Sequence, residues 1–320
     1  MKAREYAVLF ALAALWGSSF LFIRVAVVEL SPVVLVGARF VVATLGLLLF
    51  VPFQPAIIKG WRNHLWGFFV VAVFNAIIPY LAISWGEQYV PSGLAAILAA
   101  TIPLATVIIS HWWPDGERIT WARLAGVALG LLGVAIVIGP TTLVTGGSPN
   151  YLLGAGSILL GAVSYALGGL FAHRMLVGLP SILPALGQNA MGACILGPIA
   201  GIAVAIHPPA HLPSTPVIAS VLALALGGTT LAYICFYWLI DHVGPTRTVI
   251  VTYLLPCMAL IYGALLLHES VSIYALTGLL FVLLGIFLIG RKTKAHSPTQ
   301  VHGIRPAAEP NNSEEALTQL

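Results

Sequence analysis

Arg39 is the single charged side chain in the apolar run 32–51, and a guanidinium in that setting has two uses. It can pair with an anionic group on a solute, such as a carboxylate, or it can cap backbone carbonyls freed at a helix break and lie over an aromatic face. Either way, an arginine at the centre of a membrane helix costs about 2.5–3.5 kcal/mol on insertion scales and must find partners inside the protein. Apolar runs also hold the amides Asn75, Gln188 and Asn189. Their donors and acceptors suit a polar solute or a bond between helices, and an amide left unpaired there is costly. Trp16, Tyr80, Tyr165, Tyr233 and Tyr253 stand at similar depth and can wall a pocket for a partly apolar solute. Trp85 and Trp238 lie at run ends, where interfacial aromatics are expected. The expected solute-binding set is therefore Trp16, Arg39, Asn75, Tyr80, Gln188, Asn189 and Tyr253.

Other chemistries are poorly supplied. Glu29, Glu87 and Glu269 fall near run ends on one side, and Asp115, Glu117 and Asp241 near ends on the other. Glu87 is the best placed of these for a gate or a proton-coupling role, while Glu117 is expected to pair with Arg118, Arg123 or a helix start. With no acid deep in a run, the sequence leans towards facilitated diffusion or exchange. His207 and His211 flank two prolines that keep them off one helical face, and no third ligand stands nearby, so no metal is expected. Ser110 and His111 lack an oriented base or oxyanion donors. Cys194, Cys235 and Cys257 fall within apolar runs and form no disulfide or metal framework. Gly168-Gly169 and Gly227-Gly228-Thr229-Thr230 lie within runs, where small residues let helices approach. No cofactor is implied.

The elements that must position these groups follow from composition. With 59% hydrophobic and 8% charged residues, the chain is far from the roughly 25% charged content of soluble domains. A span needs about 20 apolar residues to cross about 30 Å of hydrocarbon. Ten stretches qualify, at 6–28, 32–51, 65–86, 93–113, 121–139, 151–171, 182–206, 217–240, 246–267 and 272–289. Cationic residues test this count, because they collect on the cytoplasmic side. Lys2, Arg4, Lys59, Arg62, Arg118, Arg123, Arg174, Arg247, Arg291, Lys292, Lys294 and Arg305 fall at the N-terminus, in or at the edge of alternate connections, or after the last run; the opposite connections have none, and Arg24 and Arg39 stand inside or near runs. Both termini are therefore expected in the cytoplasm. The net charge of +4 reports topology, since no solvated basic face with stacking aromatics marks a nucleic-acid partner. Pro79, Pro103 and Pro256 interrupt runs and free the carbonyls of Asn75, Ala99 and Thr252. Such carbonyls survive at membrane depth only when buried in protein or lining a cavity, so the three prolines are expected at a cavity wall.

The runs repeat. Tyr80, Trp85, Val90 and Pro103 recur as Tyr233, Trp238, Val243 and Pro256 at a shift of 153, and Glu117, Gly126 and Gly133 recur as Glu269, Gly278 and Gly285 at 152. Arg24 and Ser31 recur as Arg174 and Ser181 at 150. Five spans per half is an odd number, so the halves must lie in the membrane with opposite orientation, a common transporter design with the site between them. The expected fold is all-α, with ten membrane helices in two inverted five-helix repeats, 1–145 and 146–290. The Pro- and Asn-containing segment 291–320 is expected to be a disordered cytoplasmic tail.

Leu15-Trp16-Gly17-Ser18-Ser19, Gly37-Ala38-Arg39-Phe40, Pro103, and Gly116-Glu117-Arg118 followed by Gly126 and Gly133 together resemble the EamA-type drug/metabolite transporters. The second half resembles them through Pro256, His268-Glu269-Ser270, Gly278 and Gly285, but has Tyr165-Ala166 where the first motif has Trp-Gly, and Asn189 opposite Arg39. The resemblance implies ten helices and export or exchange of a small organic metabolite, amino-acid-like or related, by alternating access across the cytoplasmic membrane. The expected partners are that solute and the lipid bilayer, with no nucleic acid and a monomeric carrier. The competing class is a membrane-embedded lipid-modifying enzyme.

Overall fold

The computed structural model describes residues 1–50, 61–114, 119–144, 149–179, 182–209 and 211–290. Expectations for Lys59, Asp115, Glu117, Arg118, Ser181 and the segment 291–320 lie outside the described residues. Without water to satisfy the backbone, an apolar chain closes its hydrogen bonds within helices, and among the described residues nine helices are long and apolar enough to cross a membrane. They are α1 (Ala3–Ala26), α2 (Pro32–Phe50), α3 (Leu65–Gly86), α4 (Ser92–Trp112), α5 (Trp121–Val144), α6 (Pro149–Met175), α7 (Ile182–Ile206), α8 (Thr215–Val243) and α10 (Ile273–Gly290). The remaining expected span, 246–267, is taken by a single turn, Pro245–Thr248, and the shorter apolar helix α9 (Val251–Leu266). Pro32 and Pro149 open α2 and α6, where the missing N–H would have no helical partner anyway.

Helix contacts respect the duplication. If each helix is exchanged for its equivalent five places along the chain, α5 against α10, α2 against α7, and α4 against α9 map onto themselves. The α1–α9 contact maps onto α6–α4, and α3–α6 onto α8–α1. Glycines set the closest approach. A Cβ on Gly126 would meet the Gly285 carbonyl at 2.7 Å, and one on Gly278 would meet the Gly133 carbonyl at 2.8 Å. Gly126 thus faces the repeat-mate of Gly133, and Gly278 faces the repeat-mate of Gly285, as a two-fold relation between halves requires.

Both third helices of the halves loosen at the same place. In α3 the segment Val73–Ile77 is π-helical and the α-helix resumes at Ile78 with Pro79 in its first turn. Pro79 cannot donate to Asn75, and the wider turn instead joins the Ile78 amide to the Val73 carbonyl. The Ser164 hydroxyl of α6 donates to the Phe74 carbonyl at 2.7 Å, so part of the opened backbone is satisfied from a neighbour. In α8 the π segment Ala223–Leu231 has no proline. There Thr229 and Thr230 donate their hydroxyls to carbonyls five residues back, Leu224 at 3.0 Å and Ala225 at 3.1 Å.

The repeat-related prolines behave differently. Pro103 lies in the first turn of Ile102–Trp112, and α4 is interrupted just before it, where the Thr101 hydroxyl caps the Leu98 carbonyl at 2.6 Å. Pro256 sits inside an unbroken α9.

Candidate functional site

The two loosened helices meet α2, α6 and α7 around Arg39. Arg39 is 6% exposed, and its guanidinium lies 4.0 Å from the centre of the Tyr80 ring. Its Nε donates to the Thr229 hydroxyl at 3.0 Å, and that hydroxyl passes its own proton to the Leu224 carbonyl. The π segment of α8 thus turns a threonine into an oriented acceptor for the arginine. Of the two uses foreseen for a buried guanidinium, aromatic stacking is realised, on tyrosine. The terminal nitrogens of Arg39 donate to no other group among the described residues. Phe40 stacks on the other side of the cluster against Tyr80, with centroids 5.4 Å apart, and Tyr165 of α6 meets Tyr80 edge-on at 6.3 Å.

A chain of amide bonds runs beside this pair. Asn75, in the π segment of α3, donates to the Gln188 carbonyl oxygen at 2.9 Å, and Gln188 donates through Nε2 to the Tyr233 hydroxyl. This line joins α3 of the first half to α7 and α8 of the second. Gly168 permits it, since a Cβ there would lie 2.5 Å from the Cβ of Asn75. Asn189, fully buried beside Gln188, turns away: its Nδ2 donates to the Ala185 carbonyl of its own helix at 2.8 Å, and its Oδ1 has no hydrogen-bond partner among the described residues.

The expected set divides accordingly. Arg39, Asn75, Tyr80 and Gln188 come together, and Asn189 lies on the adjoining position with its amide in its own helix. Trp16 packs on Phe236 at 5.4 Å, and Phe236 meets Tyr237, which stacks on Tyr233 at 6.1 Å. Tyr253 is not brought in, because its hydroxyl lies beside Gly290 at the end of α10. Pro79 stands one residue before Tyr80 on the loosened helix, whereas α4 is interrupted just before Pro103 and α9 runs unbroken through Pro256. Thr229 and Tyr237 were not foreseen. A hydroxyl pair after two glycines inside a span, and a tyrosine four residues beyond Tyr233, were the available signals.

At the end of the bundle where α1 finishes, polar groups tie the halves together. Glu269, just before α10, accepts from the Ser92 amide at 2.8 Å, the Ser92 hydroxyl at 3.0 Å and the Gly93 amide at 3.1 Å, capping the start of α4. Glu29, between α1 and α2, accepts from the Ser214 amide at 2.8 Å and hydroxyl at 2.6 Å, at the start of α8. Carboxylates suit helix N-termini, where free amides and the dipole favour negative charge. The Ser214 hydroxyl, and after it the amide, hold the Glu29 carboxyl below the usual glutamate range. A cavity of about 480 Å³ opens here, lined by Arg24, Glu29, Ser214, Pro216, Leu267 and Glu269. Glu87, at the turn after α3, is fully buried, and neither of its carboxyl oxygens has a partner among the described residues, while its backbone carbonyl accepts from Arg24.

The sequence model of the EamA-like transporter family matches this chain twice, over residues 4–139 and 152–291. An "Uncharacterized transporter" of Archaeoglobus fulgidus is 25% identical over 300 residues, 90% of this chain and 99% of that protein. The "Uncharacterized inner membrane transporter YedA" of Escherichia coli (strain K12) is 29% identical over 275 residues, 83% of this chain and 84% of its own. A "Probable terminal-alkyne amino-acid exporter" of Streptantibioticus cattleyicolor shares 40% identity over only 55 residues, 17% of this chain and 18% of its own. One solved crystal structure, 16% identical, superposes with a TM-score of 0.61 over 90% of this chain and 96% of its own, and shows the same fold. With two family matches that together span nearly all of 4–291, placed on the two sets of helices that pack as equivalents, this chain belongs to the EamA-like transporter family.

Proposed function

We propose that the protein exports or exchanges a small organic metabolite bearing a carboxylate and a partly apolar body, amino-acid-like or related, by alternating access across the cytoplasmic membrane. The observation that carries this reading is Arg39: a buried cation between the two halves, held by Tyr80 and Thr229, with terminal N–H groups left to receive an anion. Tyr80, Tyr165 and Tyr233 offer ring surface for an apolar body, and Asn75 and Gln188 offer amides for polar substituents. The short match to an amino-acid exporter agrees with that solute class.

The cation pattern supports cytoplasmic termini, and in that orientation the Glu29 and Glu269 caps lie on the external side. Each joins an acid of one half, in the repeats 1–145 and 146–290, to a helix start of the other, and together they close that side. Rocking the halves apart breaks these caps and opens the Arg39 site outward. The carrier acts as a monomer within the bilayer.

The test is a screen with purified protein in liposomes, measuring counterflow of labelled amino acids, aromatic and aliphatic carboxylates, and purine derivatives. Saturable flux is expected for a carboxylate and not for its amide analogue. If no solute moves, or amide and carboxylate move equally, the reading fails.

A further inference from the structure

Glu87 is unused by the site as described, and its surroundings are unusual for a carboxylate. It follows the span Leu65–Gly86 as the helix cap, fully buried and without a hydrogen bond to either carboxyl oxygen among the described residues. Tyr80, Ser84 and Glu87 are four and three residues apart and share one buried face, at 7%, 1% and 0% exposure. Seven residues at about 1.5 Å each place Glu87 about 10 Å along that face from Tyr80, the ring on which the Arg39 guanidinium rests.

The charges that face Glu87 are Arg24 from α1, Arg39 from α2 and Glu269 from the segment before α10. Against this end of the helix, α6 packs through Gly154, Ser157 and Ile158, with Tyr151 and Tyr165 its titratable groups nearest this stretch; His173 and Arg174 end that helix on the opposite side. The start of α4 offers Ser92 and no ionisable group, and the turn itself adds Gln88 and Tyr89. Burial pushes the Glu87 carboxyl well above the usual glutamate range, and Glu269 pushes the same way, while Arg24 and Arg39 oppose them. Arg24 and Glu269 also line the cavity at this end of the bundle, and Arg24 donates to the Glu87 backbone carbonyl.

Taking the carboxylate reading of Arg39 as its basis, we propose that Glu87 is a proton-binding site linked to occupancy of Arg39, so that the protein carries one proton with each organic carboxylate. The balance of charge supplies the coupling. At a pH above the Glu87 titration the empty pair is Arg39 cation and Glu87 anion; loaded, it is Arg39 cation with solute anion and Glu87 neutral. Both sum to zero and can reorient within a low-dielectric bundle, whereas solute alone leaves one negative charge and proton alone one positive charge. An anion on Arg39 cancels the field that favours ionised Glu87, so solute binding draws a proton in. By reciprocity, a proton on Glu87 tightens the solute by the same factor. At about 10 Å and an effective interior dielectric of about 20, that factor is on the order of tenfold. Solute affinity therefore rises as pH falls through the Glu87 titration, and the direction of flux follows the summed gradients of solute and proton.

The deciding experiment needs no solute. Infrared difference titration of the full-length protein in lipid nanodiscs reads the protonated carboxyl band of the wild type, Glu87→Gln, Arg39→Gln and Arg39→Lys. The band is expected to vanish in Glu87→Gln, to titrate about one pH unit higher in Arg39→Gln, and to stay in place in Arg39→Lys. If Arg39→Gln does not fold, Arg39→Met with Thr229→Val removes the charge together with its buried partner and replaces it. A midpoint that ignores the loss of the Arg39 charge, or the absence of a Glu87 band, overturns the linkage while leaving the solute reading standing. Loss of carboxylate selectivity in the liposome screen, with the linkage intact, would instead remove the solute reading.

Discussion

In the first half, the second helix carries Arg39 into the space between the halves, where it rests on Tyr80 and bonds to Thr229 of the other half. At the repeat-equivalent position in the second half stands Asn189, whose amide bonds within its own helix. The third helices show the same divergence. In α3, Pro79 opens the helix and Asn75 uses the opening to reach Gln188; in α8, a longer π segment has Gly228 at the equivalent position and spends Thr229 on Arg39. The helix contacts between the halves agree, down to Gly126 and Gly133 facing Gly285 and Gly278. Contacts across a two-fold relation must be satisfied from both sides at once, so they stay alike. A site on that relation sees one copy of each position, and only by differing can the halves give it one cation and one set of amides.

The largest effects should come from the shared scaffold. Gly126→Ala and its repeat-mate Gly278→Ala each drive a methyl group onto a facing carbonyl, and each should cost about 1–3 kcal/mol of stability by overpacking. Thermal unfolding of the purified variants should give a loss in both, the larger in Gly278→Ala, whose Cβ would also lie 2.3 Å from Val137 Cγ2, and a loss confined to one variant would break the scaffold equivalence. The next effect sharpens the divergence. Gln188→Ala removes both buried bonds, to Asn75 and Tyr233, and should weaken solute half-saturation about fivefold, the equivalent of about 1 kcal/mol. Asn189→Ala should change it less than twofold, and the reverse order in a flux assay would overturn the assignment of chemistry to one half.

The smallest effect concerns the caps. Glu29 is solvent-exposed, and its carboxyl is held down by Ser214, so its contribution to the folded state is present above the ordinary glutamate value of about 4.3 and is lost as pH falls through its lowered folded value. Glu29→Gln should therefore lower the unfolding temperature slightly at neutral pH, with the difference from wild type shrinking as pH falls below about 4.3 and vanishing below the lowered folded value. A difference that persists in acid would show that the cap does not work through charge.

Much of the Arg39 neighbourhood was legible because a cation or an amide in an apolar run is conspicuous and must find company. Tyr253 looked equivalent to Tyr80 by depth, yet depth says nothing of the direction in which a ring faces around the helix. Thr229 was hidden because a span threonine ordinarily bonds to its own backbone, which it does here as well; only the π segment turns its lone pair to Arg39. Glu87 sat at a span end, where acids are usually hydrated, and its burial depends on what other parts of the chain bring to that turn, Arg24 of α1 among them.

By itself the sequence determined the membrane class, the count of apolar runs and the duplicated order, because these rest on local length, composition and spacing. The tertiary structure alone decided which tyrosine receives Arg39, that Pro103 follows an interruption while Pro256 does not, and that Glu87, at a span end, is fully buried. Those outcomes depend on what packs against a residue from elsewhere in the chain, and apolar side chains that are nearly interchangeable for insertion into lipid leave that choice unrecorded in their pattern.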